Sequence, residues 1–455
     1  MMPPAFAPFA QGVPLAVMTR LAAENLFRAD RLDALFDAVA TRQYRRSLKF
    51  SQVVELMMAV VTRVDDSVLS AYRARKEALG VSDQAVYDKL RGVETGLSAA
   101  LVADSADRIA PVIDRLGARL APWVAGLRTR VVDGNLLGKT ESRLRELRQT
   151  RAAALPGRVV AVYEPETDLV TRVVLNRDAH DSERRLLDEV LAGVAAGDLW
   201  VADRNFCTRK FLFGLAGAGA KFAIRQHGSL AGRALGERVA RGRTEGGRAF
   251  EQRVELDFEG ATLRVRRVTV LLDRPTRGGD AEVHVLTNLT GAQAKAARVA
   301  EVYRKRWTIE DRFFELATTL NGEPNTLGYP AAALFAFSLA LVASNAVALR
   351  RASLRAAHGA EAVASMSRHY VAGEVRRTYA GMMVALPPES WEVFRGLEAE
   401  ALAEALRELA GRVKPGDYRK ATRGPKKPPA AKGRYKNGGH VATQRLIDQR
   451  KKPVS

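Results

Sequence analysis

"GRVVAVYEPETDLVTRVVL", residues 157–175, decides the fold. Two runs rich in Val, with Tyr and Thr among them, flank Pro165-Glu166-Thr167-Asp168, a turn-forming sequence, so the segment predicts a β-hairpin. Upstream, "TRVVDGNLL" (129–137) reads as another short strand. Downstream come a helix over 181–196, opened by Asp181 or Ser182, and the buried strand in "GDLWVADRNF" (197–206). A helix over about 207–218 and the strand "KFAIRQ" (221–226) follow. The order β-β-β-α-β-α-β predicts an α/β fold: a mixed sheet flanked by helices.

Other segments depart from this pattern. Residues 1–122 carry apolar positions at intervals of three and four and are expected to form a helical N-terminal DNA-binding domain. Within it "VSDQAVYDKLRGVETGL" (81–97), with Tyr87, Lys89 and Arg91 outward, reads equally as a recognition helix or as a plain structural one. Residues 123–225 form the first part of the core, and 226–292, glycine-rich and alternating, a β-rich insertion. The helical period returns over 293–411. The charge-free run 327–349 is long enough to cross a bilayer, but its Ala, Ser and Asn content and Pro330 predict a buried core helix and no membrane.

Charge bounds the partners. The chain has 72 basic and 51 acidic residues, a net of +21, which points to a polyanion. Residues 412–455 hold 14 Lys or Arg against Asp417 and Asp448, a net of +12, and are expected to be a disordered tail able to lie along phosphates. The single cysteine, Cys207, excludes an intramolecular disulfide and a thiolate metal cage, and suits a cytoplasmic location. No basic residue precedes Arg20 and prolines interrupt the N-terminus, so no signal peptide is expected.

Two carboxylates stand at strand ends. Asp133 follows Val131-Val132, and Asp203 follows Leu199-Trp200-Val201-Ala202 and precedes Arg204. Ligands gather where strands of open sheets end, so neighbouring strands would turn both side chains to one pocket. Taken singly, each aspartate is equally a turn former or a helix cap. The third candidate lies in "YRKRWTIEDRFFELATTL" (303–320), where helical geometry puts Tyr303, Arg306 and Glu310 in one row. That row lies beside a core stripe of Val302, Ile309, Phe313, Leu316 and Leu320. The plain alternative is an exposed ion pair between Arg306 and Glu310. Asp133, Asp203 and Glu310 together suit hard cations, Mg²⁺ or Mn²⁺, two per site and roughly 4 Å apart, working on a phosphodiester. Three other features weigh less. "DGNLLGKT" (133–140) resembles a P-loop whose first glycine is replaced by Asp133, His180 and His227 read as structural, and Trp307 reads as packing.

These residues resemble the DDE transposases of bacterial insertion sequences, specifically the fourth insertion-sequence family with its signature Y-(2)-R-(3)-E-(6)-K. Tyr303, Arg306 and Glu310 match the first three positions, "VVDG" and "ADRNF" resemble the two aspartate motifs, and the likeness covers about 125–350. The signature's lysine falls at Ala317, which removes a phosphate contact that Lys305 or the tail could replace. The resemblance implies an RNase H-like core with a β insertion and a catalytic, metal-binding trio of Asp133, Asp203 and Glu310. Its DNA contacts would come from Tyr303, Arg306, Arg204 and Lys305. It further implies cut-and-paste transposition, a homodimer joining two double-stranded transposon ends and a target in a synaptic complex, and a nucleoid-associated location. A nuclease of the same fold that does not join, and a decayed DNA-binding protein, are the rival readings.

Overall fold

A computed structural model of the chain describes residues 2–43, 47–138, 153–276, 278–310, 313, 316, 319–324, 327–421 and 440–451. Ala317 and most of the near P-loop's Gly-Lys-Thr lie outside them, as does the middle of the basic tail.

The chain builds one mixed sheet from β1 (Arg128–Leu137), β3 (Gly157–Glu164), β4 (Leu169–Asn176), β5 (Asp198–Ala202), β6 (Lys221–Arg225), β7 (Arg233–Thr244), β8 (Gly247–Phe258), β9 (Ala261–Leu272) and β10 (Glu282–Thr287). Its order is β4-β3-β1-β5-β6-β10-β9-β8-β7. β3 runs antiparallel to β1 and β4, whereas β5 lies parallel to both β1 and β6. The first five strands thus have the RNase H-like arrangement expected from the sequence. The hairpin turn is as predicted: Asp168 adopts φ +66°, tolerable for its short side chain, and accepts a hydrogen bond from the Tyr163 hydroxyl at 2.6 Å.

The β-rich insertion forms as strands, and two other expectations change. In the insertion β10 pairs antiparallel with β6, so its strands prolong the central sheet. The helix expected over 181–196 shortens to a 3₁₀ turn, Glu183–Leu186, and a helix, Leu187–Leu191, because the chain must turn back through Gly197 at φ +83° to enter β5. The tail is not structureless throughout. Its His440–Ala442 segment (β11) pairs in parallel with Ala153–Leu155 (β2), a helix follows over Thr443–Lys451, and Arg445 is ion-paired with Asp178.

The helical regions at the two ends share one core. Pro14–Leu26 and Thr95–Arg115 bury Leu15, Met18, Leu21 and Ile109 together with Leu349, Trp391 and Leu406 from the C-terminal half. The candidate recognition helix, Asp83–Gly92, has its Ser82 cap; Arg91 is exposed as expected, whereas Lys89 is half-buried. Lys89 lies over the Phe36 ring at 4.4 Å and Arg91 over Tyr329 at 4.3 Å, cation–π contacts that tie the helix to its own fold.

The apolar run forms the helix Pro330–His358, long and apolar enough to cross a membrane, with 89% of its most apolar window buried inside the protein. It lies against β3 and β4, and its one buried amide meets the sheet edge. Asn345, 1% exposed, accepts from Val170 N at 2.9 Å and donates to Val170 O at 2.9 Å, completing edge strand β4 as another strand would. Asn345→Leu keeps the volume but orphans both groups. We expect a loss of about 2 kcal/mol, read as a lower urea midpoint, whereas an unchanged midpoint would contradict this role.

Candidate active site

Period-two alternation sets the geometry. Val131 pairs with Val201 and Val132 with Ala202 across the parallel β1–β5 ladder. Val131 and Val201 face the core beneath the helix Ala296–Arg304, whereas Val132 and Ala202 face the opposite layer around Trp200 and Phe211. Asp133 in β1 and Asp203 just past the end of β5, one residue further on, therefore follow the first face of adjacent strands whose axes run about 4.8 Å apart. Each is fixed by its own turn. Gly134 N donates to Asp133 Oδ1 at 3.0 Å, and Asp203 caps the turn Arg204–Phe206 by accepting from Asn205 N at 2.8 Å.

The third element arrives from the far side of the insertion. The predicted helix is interrupted: Ala296–Arg304 tightens into a 3₁₀ turn, Lys305–Trp307, before helical winding resumes. The tighter step rotates successive side chains farther apart. Arg306 is driven inward to 5% exposure, while Trp307 stands 59% exposed, so the expectation that Trp307 is packing is overturned. Val302, Ile309 and Leu316 are buried as the stripe requires.

Arg306 joins the acids. Its Nη1 donates to Asp133 Oδ2 at 2.9 Å and its Nη2 to Glu310 Oε1 at 2.6 Å. The alternative of an exposed ion-paired face fails, because Arg306 is buried and its second partner is 173 positions away. Nor does Arg306 stand ready for a phosphate, since both of its terminal nitrogens are engaged. Tyr303, partly buried, lies within electrostatic reach of Arg306, Arg225 and Asp203, and burial raises its phenol above the ordinary value. Arg204 is exposed beside Asp203. Lys305 points elsewhere, with its ammonium 5.9 Å from the Trp123 ring.

Sequence reasoning missed Glu183, which accepts from Arg158 at 2.5 Å and lies against Gly134, where a Cβ would strike its carboxylate. The glycine beside Asp133 was its only signal. Among the described residues no three acid, histidine or cysteine side chains stand close enough to hold one ion. The donor set, carboxylate oxygens alone, fits a hard divalent cation in kind. The position between Asp133 and Glu310 is filled by the guanidinium.

Burial pushes the Asp133 carboxyl up to about 7 against the pull of Arg306, and the negative charges of Asp203 and Glu310 add to the rise. The folded protein therefore takes up this proton at a higher pH than the unfolded chain does. The stability contributed by Asp133 is present below the unfolded carboxylate value and lost as pH rises through about 7. In EDTA, the thermal midpoint of Asp133→Asn relative to wild type should rise between about pH 5 and about pH 8. A constant difference would contradict the buried, charge-crowded setting.

Comparison with known proteins bears on this segment. Residues 126–346 match the family model described as the transposase DDE domain. No curated protein matches. Among solved structures, a similar chain is the piggyBac transposase in a cryo-EM structure of its synaptic complex with hairpin DNA. It is 9% identical, with 88% of this chain and 86% of that chain covered and a TM-score of 0.40. The segment that holds Asp133, Asp203, the β-rich insertion and the Tyr303-Arg306-Glu310 row thus lies within the stretch that matches the transposase DDE domain model.

Proposed function

We propose that this chain is a DNA transposase of the fourth insertion-sequence type that cuts phosphodiesters at the ends of a mobile element and joins the freed ends to target DNA. The observation that carries the reading is the convergence of Asp133 and Asp203 on one face of adjacent parallel strands, with Glu310 brought to them by Arg306. Asp133, Asp203 and Glu310 would hold Mg²⁺ or Mn²⁺, two ions per site, whose chemistry is activation of the attacking oxygen and stabilisation of the leaving one.

The rest falls to the chain's own groups. Asp133 sits on β1 and Asp203 directly follows β5, where it caps the turn Arg204–Phe206, so both are held at rigid elements. Tyr303 presents a hydroxyl at the edge of the acidic face, and exposed Arg204 beside Asp203 offers a cation to a backbone phosphate. In the first reaction a water oxygen bonds to phosphorus, and the 3′ oxygen of the element's end leaves and takes a proton. In the second the oxygen of that 3′-OH bonds to a target phosphorus and gives up its proton to solvent, and a target 3′ oxygen leaves and takes a proton from solvent.

Partners follow from charge. A net of +21, of which +12 lies in residues 412–455, suits double-stranded DNA held by its backbone, both element ends and target. Joining two ends at once requires a homodimer in a synaptic complex, and the substrate places the protein on the nucleoid in the cytoplasm. Second-strand cleavage through a hairpin belongs to the same reading.

Asp133→Asn, Asp203→Asn and Glu310→Gln should each lower Mg²⁺-dependent nicking of a labelled element-end duplex by at least about 10²-fold while leaving duplex affinity near wild type. Products in which the labelled 3′ end is joined to a target plasmid distinguish a transposase from a nuclease that only hydrolyses. Full nicking by any of the three variants would remove the catalytic assignment.

A further inference from the structure

Arg306 is the least expected feature of the site. A guanidinium of 5% exposure lies between two carboxylates of the acid trio, and the Asp203 charge adds to the field at Asp133. One positive charge faces three acidic groups. The Arg306 Nε, also buried, finds no hydrogen-bond acceptor among the described residues.

The two ends of the bridge differ. The Asp133 side chain is 13% exposed and held by Gly134 N, whereas that of Glu310 is 37% exposed and sits on the turn-interrupted helical segment. The Glu310 contact is therefore the one that solvent reaches and that can open without disturbing the sheet.

We infer that Arg306 is a resident counter-cation of the acid trio, occupying the place between Asp133 and Glu310 until a divalent metal displaces it. The inference rests on the reading of Asp133, Asp203 and Glu310 as metal ligands. It explains why the trio is held together yet does not form a three-acid cage. It also gives Arg306 a role in metal loading rather than only in phosphate binding. With the guanidinium in place, the carboxylates are partly neutralised and pre-gathered. Removing it, Asp133 and Glu310 must either accept another cation or repel each other across a partly buried gap. Arg306 is thus a positioning residue whose departure is part of binding the metal.

The test is Mn²⁺ binding by the full-length protein, followed by the electron paramagnetic resonance signal of free Mn²⁺, for wild type, Arg306→Gln, Arg306→Lys and Asp133→Asn. A competitor and a positive charge are lost together in Arg306→Gln, so this variant should bind Mn²⁺ at least about tenfold tighter than wild type. A variant whose role was only structural would bind more weakly as its site loosened. Arg306→Lys keeps the charge but loses the fork that reaches both carboxylates, so it should fall between the two; it carries the test if Arg306→Gln loses its cooperative melting transition. Equal or weaker Mn²⁺ binding by the folded variants overturns the inference. Wild-type binding by Asp133→Asn, or no binding by wild type, overturns instead the assignment of the trio as metal ligands.

Discussion

The parallel ladder between β1 and β5 is the constraint on which the site depends. Parallel neighbours cannot be joined by a tight turn, so the chain between them must leave the sheet and return. It does so through the β3–β4 hairpin, the short helix Leu187–Leu191 and the turn at Gly197. The Val131↔Val201 and Val132↔Ala202 register then fixes Asp133 beside Asp203 on one face. A one-residue slip would send one aspartate to each side of the sheet.

Burial works against that face, and Arg306 answers it. A carboxyl on a central strand is deprived of water, so its charged form is disfavoured unless a cation stands by. The tightened turn Lys305–Trp307 brings the guanidinium inward, and the same turn leaves Trp307 at the surface next to the acids. One local change of winding therefore settles both the electrostatics of the centre and the apolar character of its rim.

The scaffold behind the sheet is held by apolar burial from both chain ends. Thr95–Arg115 and Ala399–Gly411 pack with Pro330–His358, so the N-terminal helices are not a detached module in the described residues. Burying the apolar part of Pro330–His358 along an edge strand exposes the difficulty that the edge has unpaired polar groups. Asn345 resolves it by offering one acceptor and two donors, one of the latter to Ser105 Oγ at 2.9 Å.

Much of this was legible in the chain itself. Alternation in 157–175, turn residues at 165–168, acids closing apolar runs and a helical row at 303–310 are local patterns, and local patterns follow from backbone geometry. What tertiary structure decided are the non-local facts. The spacing of Arg306 and Glu310 reveals one ion pair, but no spacing reveals that Asp133 is the other partner. Trp307 is exposed because a helix tightened by one turn, which the apolar period does not report, and Lys89 is half-buried because the Phe36 ring from a distant segment lies beneath it. The sequence by itself determined which side chains alternate and which strands end in carboxylates. Which of those carboxylates meet, and what cation lies between them, was decided only when long-range pairing brought remote segments into contact, because Coulomb interactions depend on separation in space and not along the chain.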